Sequence, residues 1–285
     1  MIIAIFPNHH FKESFQLAEK IYAFLKKKQI TVIAEEPVAK KLGCKSLQEI
    51  PIKEVDFLIA MGGDGTILRL FNQYHTKKAA ILGINLGHLG FMADIPVAEI
   101  FLALEDLLNG MYTVHKRIVL TCISPAKEEY TAVNDVVLHR SHNQGLIEIS
   151  ISVSGMYMNT YIADGIIVAT PNGSTAYSLA AGGPILSPSV DALVITPICA
   201  HTISNRPFVL TAKHTLTIKC ASCKEPVEVS ADGLKRFTMS PQEEISIMKS
   251  KETFRLVSLT KRKNYFDTLR EKLGWSGTLF QNFKK

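Results

Sequence analysis

The stretch from Val55 to Leu70, VDFLIAMGGDGTILRL, limits what this chain can fold into more than any other, because it turns from apolar strand to helix within a few glycine-rich residues. Val55, Phe57, Leu58, Ile59 and Ala60 make the near-continuous apolar run of a strand buried on both faces of a parallel sheet. Ile67, Leu68 and Leu70 then restart the pattern at helical spacing. Gly62, Gly63 and Gly65 are expected to take positive φ and to let a ligand approach the main chain, while the N–H groups opening the helix face phosphate. Asp64 breaks that scheme. A carboxylate among phosphate-accepting amides repels phosphate, so it points to a proton acceptor, a hydroxyl anchor or a metal contact. The competing reading is a tight turn with Asp64 as a helix cap. The spacing fits neither the dinucleotide fingerprint nor the P-loop lysine pattern.

Around this stretch the chain alternates strand and helix. Ile2 to Phe6 reads as a strand, Phe15, Ala18, Tyr22 and Leu25 share a helical face, and Ile30 to Ala34 is β-branched. Ala79 to Asn85 is a further strand running into a glycine-rich turn, and Val97 to Leu108 is a helix stopped by Asn109 and Gly110. That order predicts a parallel sheet with helices on both faces, with ligands beyond the carboxyl ends of the strands. Both GGDGT and the Asn85 to Gly90 loop lie at those ends, which makes Asn85 and His88 secondary candidates beside Asp64. Asn85 is also an ordinary turn residue, and His88 an ordinary surface group.

From about Lys116 the habit changes to short β-rich runs: Ile118 to Ile123, Tyr130 to Leu138, Leu146 to Val153, Met156 to Ile162, Ile166 to Thr170, Leu193 to Ile198 and His214 to Cys220. Further runs follow at Val227 to Ser230, Glu244 to Met248 and Phe254 to Leu259. The expected architecture is thus an α/β domain over 1–115 and a largely β domain over 116–254, with 255–285 returning to the first. A helix over Asn264 to Leu273 carries Phe266, Leu269 and Leu273 as the face it would bury there.

Two places in the β half are chemically unusual. VNDVVL at 133–138 sets Asn134 beside Asp135, and neighbours on a strand serve one ligand only where a bend reorients them. DGIIVATPNGSTAYSLAAGGPILSP at 164–188 gathers hydroxyls, glycines and one aromatic ring at a strand-to-helix turn, which suits a nucleotide; an N-cap by Ser174 or Thr175 accounts for one hydroxyl only.

Composition sets outer limits. With 285 residues, 47% of them hydrophobic, the chain can bury more than one core. A net charge of +6, with runs at Lys26 to Lys28 and Lys261 to Lys263, lacks the aromatic-interleaved pattern of a nucleic-acid surface. No apolar run reaches membrane-spanning length and MIIAIFPNHH lacks signal-peptide character, so a cytoplasmic enzyme is expected, with neither nucleic acid nor membrane as partner. Cys44, Cys122, Cys199, Cys220 and Cys223 are odd in number and scattered, and Cys220 and Cys223 are read as strand residues rather than half of a zinc site.

Taken in order, GGDGT, INLGHLGF, VNDVVL, DGIIVATPNGSTAYSLAAGGP, HTISNRPFVL and FDTLREKLGW resemble the NAD kinase family over most of the chain. GGDGT is shared with lipid kinases and, in similar form, phosphofructokinases; the TPNGSTAYSLAAGGP block and the KLGW are far more specific. The resemblance implies transfer of the γ-phosphoryl group of ATP to the 2′-hydroxyl of the adenosine ribose of NAD, giving NADP. On it, Asp64 is the general base and Gly65 and Arg69 lie at the same nucleotide site. Asn134 and Asp135 are paired NAD contacts, Asp164 is a nicotinamide-side contact, and Thr175, Ala176, Tyr177, Ser178, Leu179 and Ala180 line the adenosine pocket. It further implies a divalent metal, Mg²⁺ carried with ATP rather than held in a protein cage, and a homodimer or homotetramer. Two positions depart from the family pattern: Leu234 stands where Gln is frequent after Asp232 and Gly233, and Ala200 replaces a proline before His201.

Overall fold

The computed structural model describes residues 1–8, 12–74, 78–141, 145–202, 205–260 and 264–275. The basic run Lys261 to Lys263 and part of HTISNRPFVL, Ile203 and Ser204, lie outside them. The chain divides into two compact units, Met1–Lys116 with Arg255–Lys285, and Arg117–Phe254.

The first unit is built on β1 (Ile2–Pro7), α1 (Lys12–Lys27), β2 (Thr31–Ala34), α2 (Glu36–Leu42), β3 (Lys45–Ser46), β4 (Phe57–Gly62), α3 (Asp64–Tyr74), β5 (Ala80–Asn85), β6 (Ala93–Pro96) and α4 (Ile100–Leu108). The strands run in the order β3-β2-β1-β4-β5, all parallel, with β6 parallel to β5. β4 is buried along its whole length, as its unbroken apolar run requires. The helices cover the sheet. On α1 the buried stripe is Ser14, Leu17, Ala18, Ile21 and Leu25. Phe15 and Tyr22, expected on one face with Ala18 and Leu25, are partly buried at its edge, with Lys41 over the ring of Phe15 and the Tyr22 hydroxyl donating to the Gly43 carbonyl.

β7 (Tyr112–Ile123) begins in this unit and enters the second. There follow β8 (Glu129–Ala132), β9 (Asp135–His139), β10 (Ile147–Val153), β11 (Met156–Ala163), β12 (Gly165–Ala169), α5 (Tyr177–Ala180), β13 (Ala192–Ile198), β14 (Phe208–Thr211), β15 (Leu216–Ser222), β16 (Val227–Ala231), β17 (Leu234–Met239) and β18 (Glu244–Leu259). One antiparallel sheet has the order β14-β13-β12-β9-β16-β17; in the other, β11, β10, β15 and β18 are neighbours. One core fills with inward residues of both, such as Val136, Leu138, Ile166 and Val168 from the first and Ile149, Ile151 and Ile218 from the second. The other face of β12 and β13 is covered as well, with Ala181 and Leu186 packed on Ile167, Ala169 and Val194, so these strands read as continuous apolar runs.

Strand boundaries differ from expectation at two places. The run Tyr130 to Leu138 is two strands, β8 and β9, broken at Val133 and Asn134 where the chain passes from β7's partner strand to the six-stranded sheet. The two runs near 244 and 254 are one strand, β18, which ends beside β5 with Leu256 opposite Ile81. The chain then forms α6 (Tyr265–Leu273), opened by a capping box between Asn264 and Asp267 and closed by Gly274 in the left-handed region. Its buried residues are Thr268 and Leu269, whereas Phe266 and Trp275 are 59% and 54% exposed, so the face differs from the expected Phe266, Leu269 and Leu273.

Candidate functional site

Between β4 and α3 stands one residue, Gly63. The backbone goes directly from extended to right-handed helical, and none of Gly62, Gly63 and Gly65 has positive φ, which corrects the expectation of a left-handed turn. What Gly62 requires is the absence of a side chain. A Cβ at Gly62 would lie 2.2 Å from Thr66 Oγ1, while Gly63 and Gly65 face open space. Thr66 is buried and its hydroxyl accepts from Asn8 Nδ2 (3.0 Å), tying the first turn of α3 to the end of β1.

Asp64, the first residue of α3, does not cap its own helix. Its carboxylate crosses to the loop before β6, where Oδ1 accepts from the Met92 (3.0 Å) and Ala93 (2.9 Å) N–H groups and Oδ2 from that of Phe91 (2.8 Å). A carboxylate has roughly four acceptor positions, so about one remains, and it belongs to Oδ2. The contact is close: a Cβ at Gly90 would sit 2.1 Å from Asp64 Oδ1. The loop is braced from outside by α6. Lys272 Nζ donates to the Leu89 carbonyl (2.6 Å) and lies over the Phe91 ring, which also meets Tyr265. Arg69 is exposed on α3, one turn beyond exposed Gly65 and on the same side of the helix. Asn85 closes the turn after β5 by accepting from Gly87 N–H (2.8 Å), and His88 is exposed.

The second unit repeats the device. Asp232, a non-glycine residue at φ 51°, accepts from Val133 N–H (2.9 Å, Oδ2) and, through Oδ1, from Asn134 N–H (2.7 Å) and more weakly Asp135 N–H (3.4 Å). Those amides line the break between β8 and β9, so Asn134 stands outside the strand that Asp135 opens. The bend that two adjacent polar residues need is therefore present. Asn134 Oδ1 accepts from Asn172 Nδ2 (2.7 Å), and Arg117 Nη1 donates to Asn172 Oδ1. The Asn134 carbonyl accepts from Thr170 N–H (2.8 Å) and packs on Gly173, where a Cβ would meet it at 2.1 Å. Thus VNDVVL and TPNGST form one polar cluster. Asp135 is buried, and burial first, then the negative charge of Asp232, pushes its carboxyl up to about 7.

The remaining candidates divide. The Ser174 hydroxyl donates to Pro171 O (2.7 Å) and accepts from Leu186 N–H (3.0 Å), and α5 has no side-chain cap, so the capping reading does not hold. Thr175 and Ala176 are half-buried. Tyr177 is 44% exposed, so its ring is not part of the core. Ser178 is buried and pairs with Thr196 Oγ1 (2.9 Å), leaving its hydroxyl committed to the interior; Leu179 is half-buried and Ala180 exposed. Asp164 is ion-paired with Arg140 (2.9 Å). Leu234 is exposed at the start of β17. Among the described residues no group of three or more His, Cys, Asp or Glu side chains could hold a metal ion.

Arg117 had no signal in the sequence, and Asn172, Asp232 and Lys272, although they lie in or beside motifs read there, were not singled out as site residues. Asp232 with Gly233 reads as a hairpin turn, and its partners lie 97 to 99 residues away.

The model of the ATP-NAD kinase N-terminal domain matches residues 3–112, and that of the ATP-NAD kinase C-terminal domain matches residues 133–259. The chain belongs to the NAD kinase family. It is 50% identical over 278 residues to the NAD kinase of Protochlamydia amoebophila, covering 98% of this chain and 99% of that one. With the NAD kinase of Geotalea daltonii it shares 36% over 280 residues, covering 96% and 98%. Yeast NADH kinase, solved in complex with NADH, superposes with a TM-score of 0.89 at 26% identity, covering 100% of this chain and 90% of that one. An NAD kinase from Archaeoglobus fulgidus, at 24% identity and a TM-score of 0.74 over 97% and 99% of the two chains, shares the fold. The parallel sheet with its amide-held Asp64 and the antiparallel unit with its polar cluster are thus the two parts of an NAD kinase.

Proposed function

We propose that this chain transfers the γ-phosphoryl group of ATP to the 2′-hydroxyl of the adenosine ribose of NAD, producing NADP and ADP, with Asp64 orienting and deprotonating the attacking hydroxyl. The observation that carries this assignment is the hydrogen bonding of Asp64, in which three amides fix the carboxylate and leave an Oδ2 acceptor position for one donor. Phosphoryl transfer asks the protein mainly for position and charge neutralisation, and a carboxylate immobilised by main-chain donors suits the first demand. Gly63 and Gly65 leave the start of α3 uncovered, where helix N–H groups can meet phosphate, and Arg69 adds positive charge.

In the second unit Asn134 and Asp135 contact the adenosine of NAD, with Asn134 oriented by Asn172 and both main-chain groups held by Asp232. Thr175, Ala176 and Leu179 offer backbone and partly buried surface to the base, and Tyr177 its exposed ring. Ser178 contributes through its backbone, and Ala180 marks the end of that stretch. Asp164 reaches the nicotinamide side together with Arg140. A Mg²⁺ ion entering with the nucleotide would be held by ATP phosphates and water and would neutralise their charge. The enzyme works in the cytoplasm as a homodimer or homotetramer; among the described residues no helix is long and apolar enough to cross a membrane.

The test is incubation of purified protein with Mg²⁺, ATP and either NAD or diacylglycerol. The product expected is NADP, phosphorylated at the 2′ position, from NAD alone. Phosphatidic acid from diacylglycerol, or NAD binding without turnover, would overturn the assignment.

A further inference from the structure

Outside the nucleotide chemistry, and independent of it, two thiols are in contact. On β15, Cys220 is buried in the core of the second unit with Ile149, Ile218 and Ile245, and Cys223 falls just past the strand's end, half-buried. Side chains three apart on a regular strand point to opposite faces. Here the pairing with β10 shifts: Ile149 faces Cys220 and Glu148 faces Ser222, so Ala221 is an extra, unpaired residue. That bulge turns Cys223 back to the side of Cys220. The two sulfurs lie 2.7 Å apart, with the Cys220 thiol donating. Neighbouring hydrogen bonds hold the bulge, from Gln242 N–H to the Cys220 carbonyl (2.7 Å) and from Cys220 N–H to the Glu243 carbonyl (3.2 Å).

We propose that Cys220 and Cys223 form a reversible dithiol–disulfide couple, an oxidation site that answers to peroxides. The roles of the two sulfurs differ. Cys220 lies in the core and Cys223 is half-buried, so Cys223 is the sulfur that a peroxide reaches; burial first, then the hydrogen bond and charge of Cys223, push the Cys220 thiol up, so Cys220 keeps its proton. Ionised Cys223 attacks a peroxide oxygen; the S–O bond forms, the O–O bond breaks, and the leaving oxygen takes a proton to depart as water or alcohol. Cys220 Sγ then attacks the sulfenic sulfur of Cys223, the S–S bond forms, and the hydroxide released takes the Cys220 proton as water. Two thiols are thereby oxidised by two electrons and one peroxide is reduced. The other cysteines have no sulfur partner: Cys122 is buried, Cys44 half-buried and Cys199 exposed, all as free thiols.

The experiment treats the reduced full-length enzyme with hydrogen peroxide, alkylates it under denaturing conditions and digests it with trypsin. Cleavage after Lys219 and Lys224 puts both cysteines on one peptide, 220–224. The expected peptide is unalkylated and about 2 Da lighter than its dithiol form, and regains two alkyl groups after dithiothreitol, while the Cys44 and Cys199 peptides stay alkylated. In Cys220→Ser the Cys223 oxidation stops at a sulfenic acid that dimedone traps, and in Cys223→Ser the Cys220 thiol is alkylated in full after peroxide. Full alkylation of both cysteines in the peroxide-treated parent would overturn the proposal. So would oxidation of Cys220 to the same extent in Cys223→Ser.

Discussion

The two units use the same device for different ends. In each, one aspartate accepts from three consecutive backbone N–H groups of a loop far away in sequence: Asp64 from residues 91–93 and Asp232 from residues 133–135. Asp64 stands half-buried at a helix start beside glycines that leave it uncovered, so the clamp presents the aspartate itself. Asp232 stands in a left-handed turn beside buried Asp135, and its clamp presents the side chains of the loop it holds. Main-chain donors cannot swing away as side chains do, so this arrangement gives rigid placement without further charged residues. On the proposed assignment, a reactive group and a recognition surface are built from one piece of chemistry.

The largest expected effect separates the two aspartates by turnover. Asp64→Ala should lower kcat by about 10² to 10⁴, the usual cost of losing a general base. Asp64→Asn should fall as far, because its NH₂ must face N–H groups that the carboxylate accepted, and faster hydrogen exchange at Phe91 to Ala93 should report that conflict. Parental kcat in either variant would reduce Asp64 to a loop residue.

Asp135 gives a pH-dependent effect. Its carboxyl titrates near 7 folded and near 4 unfolded, so the folded state holds the proton more tightly and stability falls as pH rises through that window. Asp135→Asn cannot ionise. Measured by denaturant unfolding, it should gain on the parent by roughly 1 to 3 kcal/mol between pH 4 and pH 8. A difference independent of pH would mean that Asp232 and burial do not act on this group.

Asp232→Ala should weaken NAD binding with a smaller effect on kcat, since it leaves the amides of residues 133–135 without their acceptor, at roughly 1 to 3 kcal/mol. The comparison fails if calorimetry finds parental NAD affinity. Smallest is Lys272→Met, which removes the brace on the Leu89 carbonyl from outside the clamp; kcat should drop a few-fold, about 1 kcal/mol, with NAD affinity unchanged and Lys272→Arg partly restoring it. A shift in NAD affinity instead would place Lys272 among the substrate contacts.

Much of this molecule was legible in its residues. The strand, turn and helix around GGDGT, the alternation of the first unit and the β habit of the second follow from periodicity, and β12 is as apolar as its two covered faces demand. The clamps were not legible because their donors are main-chain amides, which carry no side-chain signature. The glycines of GGDGT are a further case: composition indicates freedom, while none of them takes positive φ and only Gly62 sits where a Cβ would clash. β18 looked like two strands because exposed and half-buried residues alternate through Lys249 to Glu252, with no apolar mark of continuity. Cys220 and Cys223 looked unrelated because a bulge, invisible in composition, undoes their opposite facing.

The most direct test of the central claim is a crystal structure of the enzyme with NAD bound. The expected result is the 2′-hydroxyl oxygen of the adenosine ribose within about 2.6 to 3.2 Å of Asp64 Oδ2, with the bonds from Phe91, Met92 and Ala93 intact. A ribose hydroxyl bound to another residue, with the Oδ2 position of Asp64 turned to solvent, would contradict it.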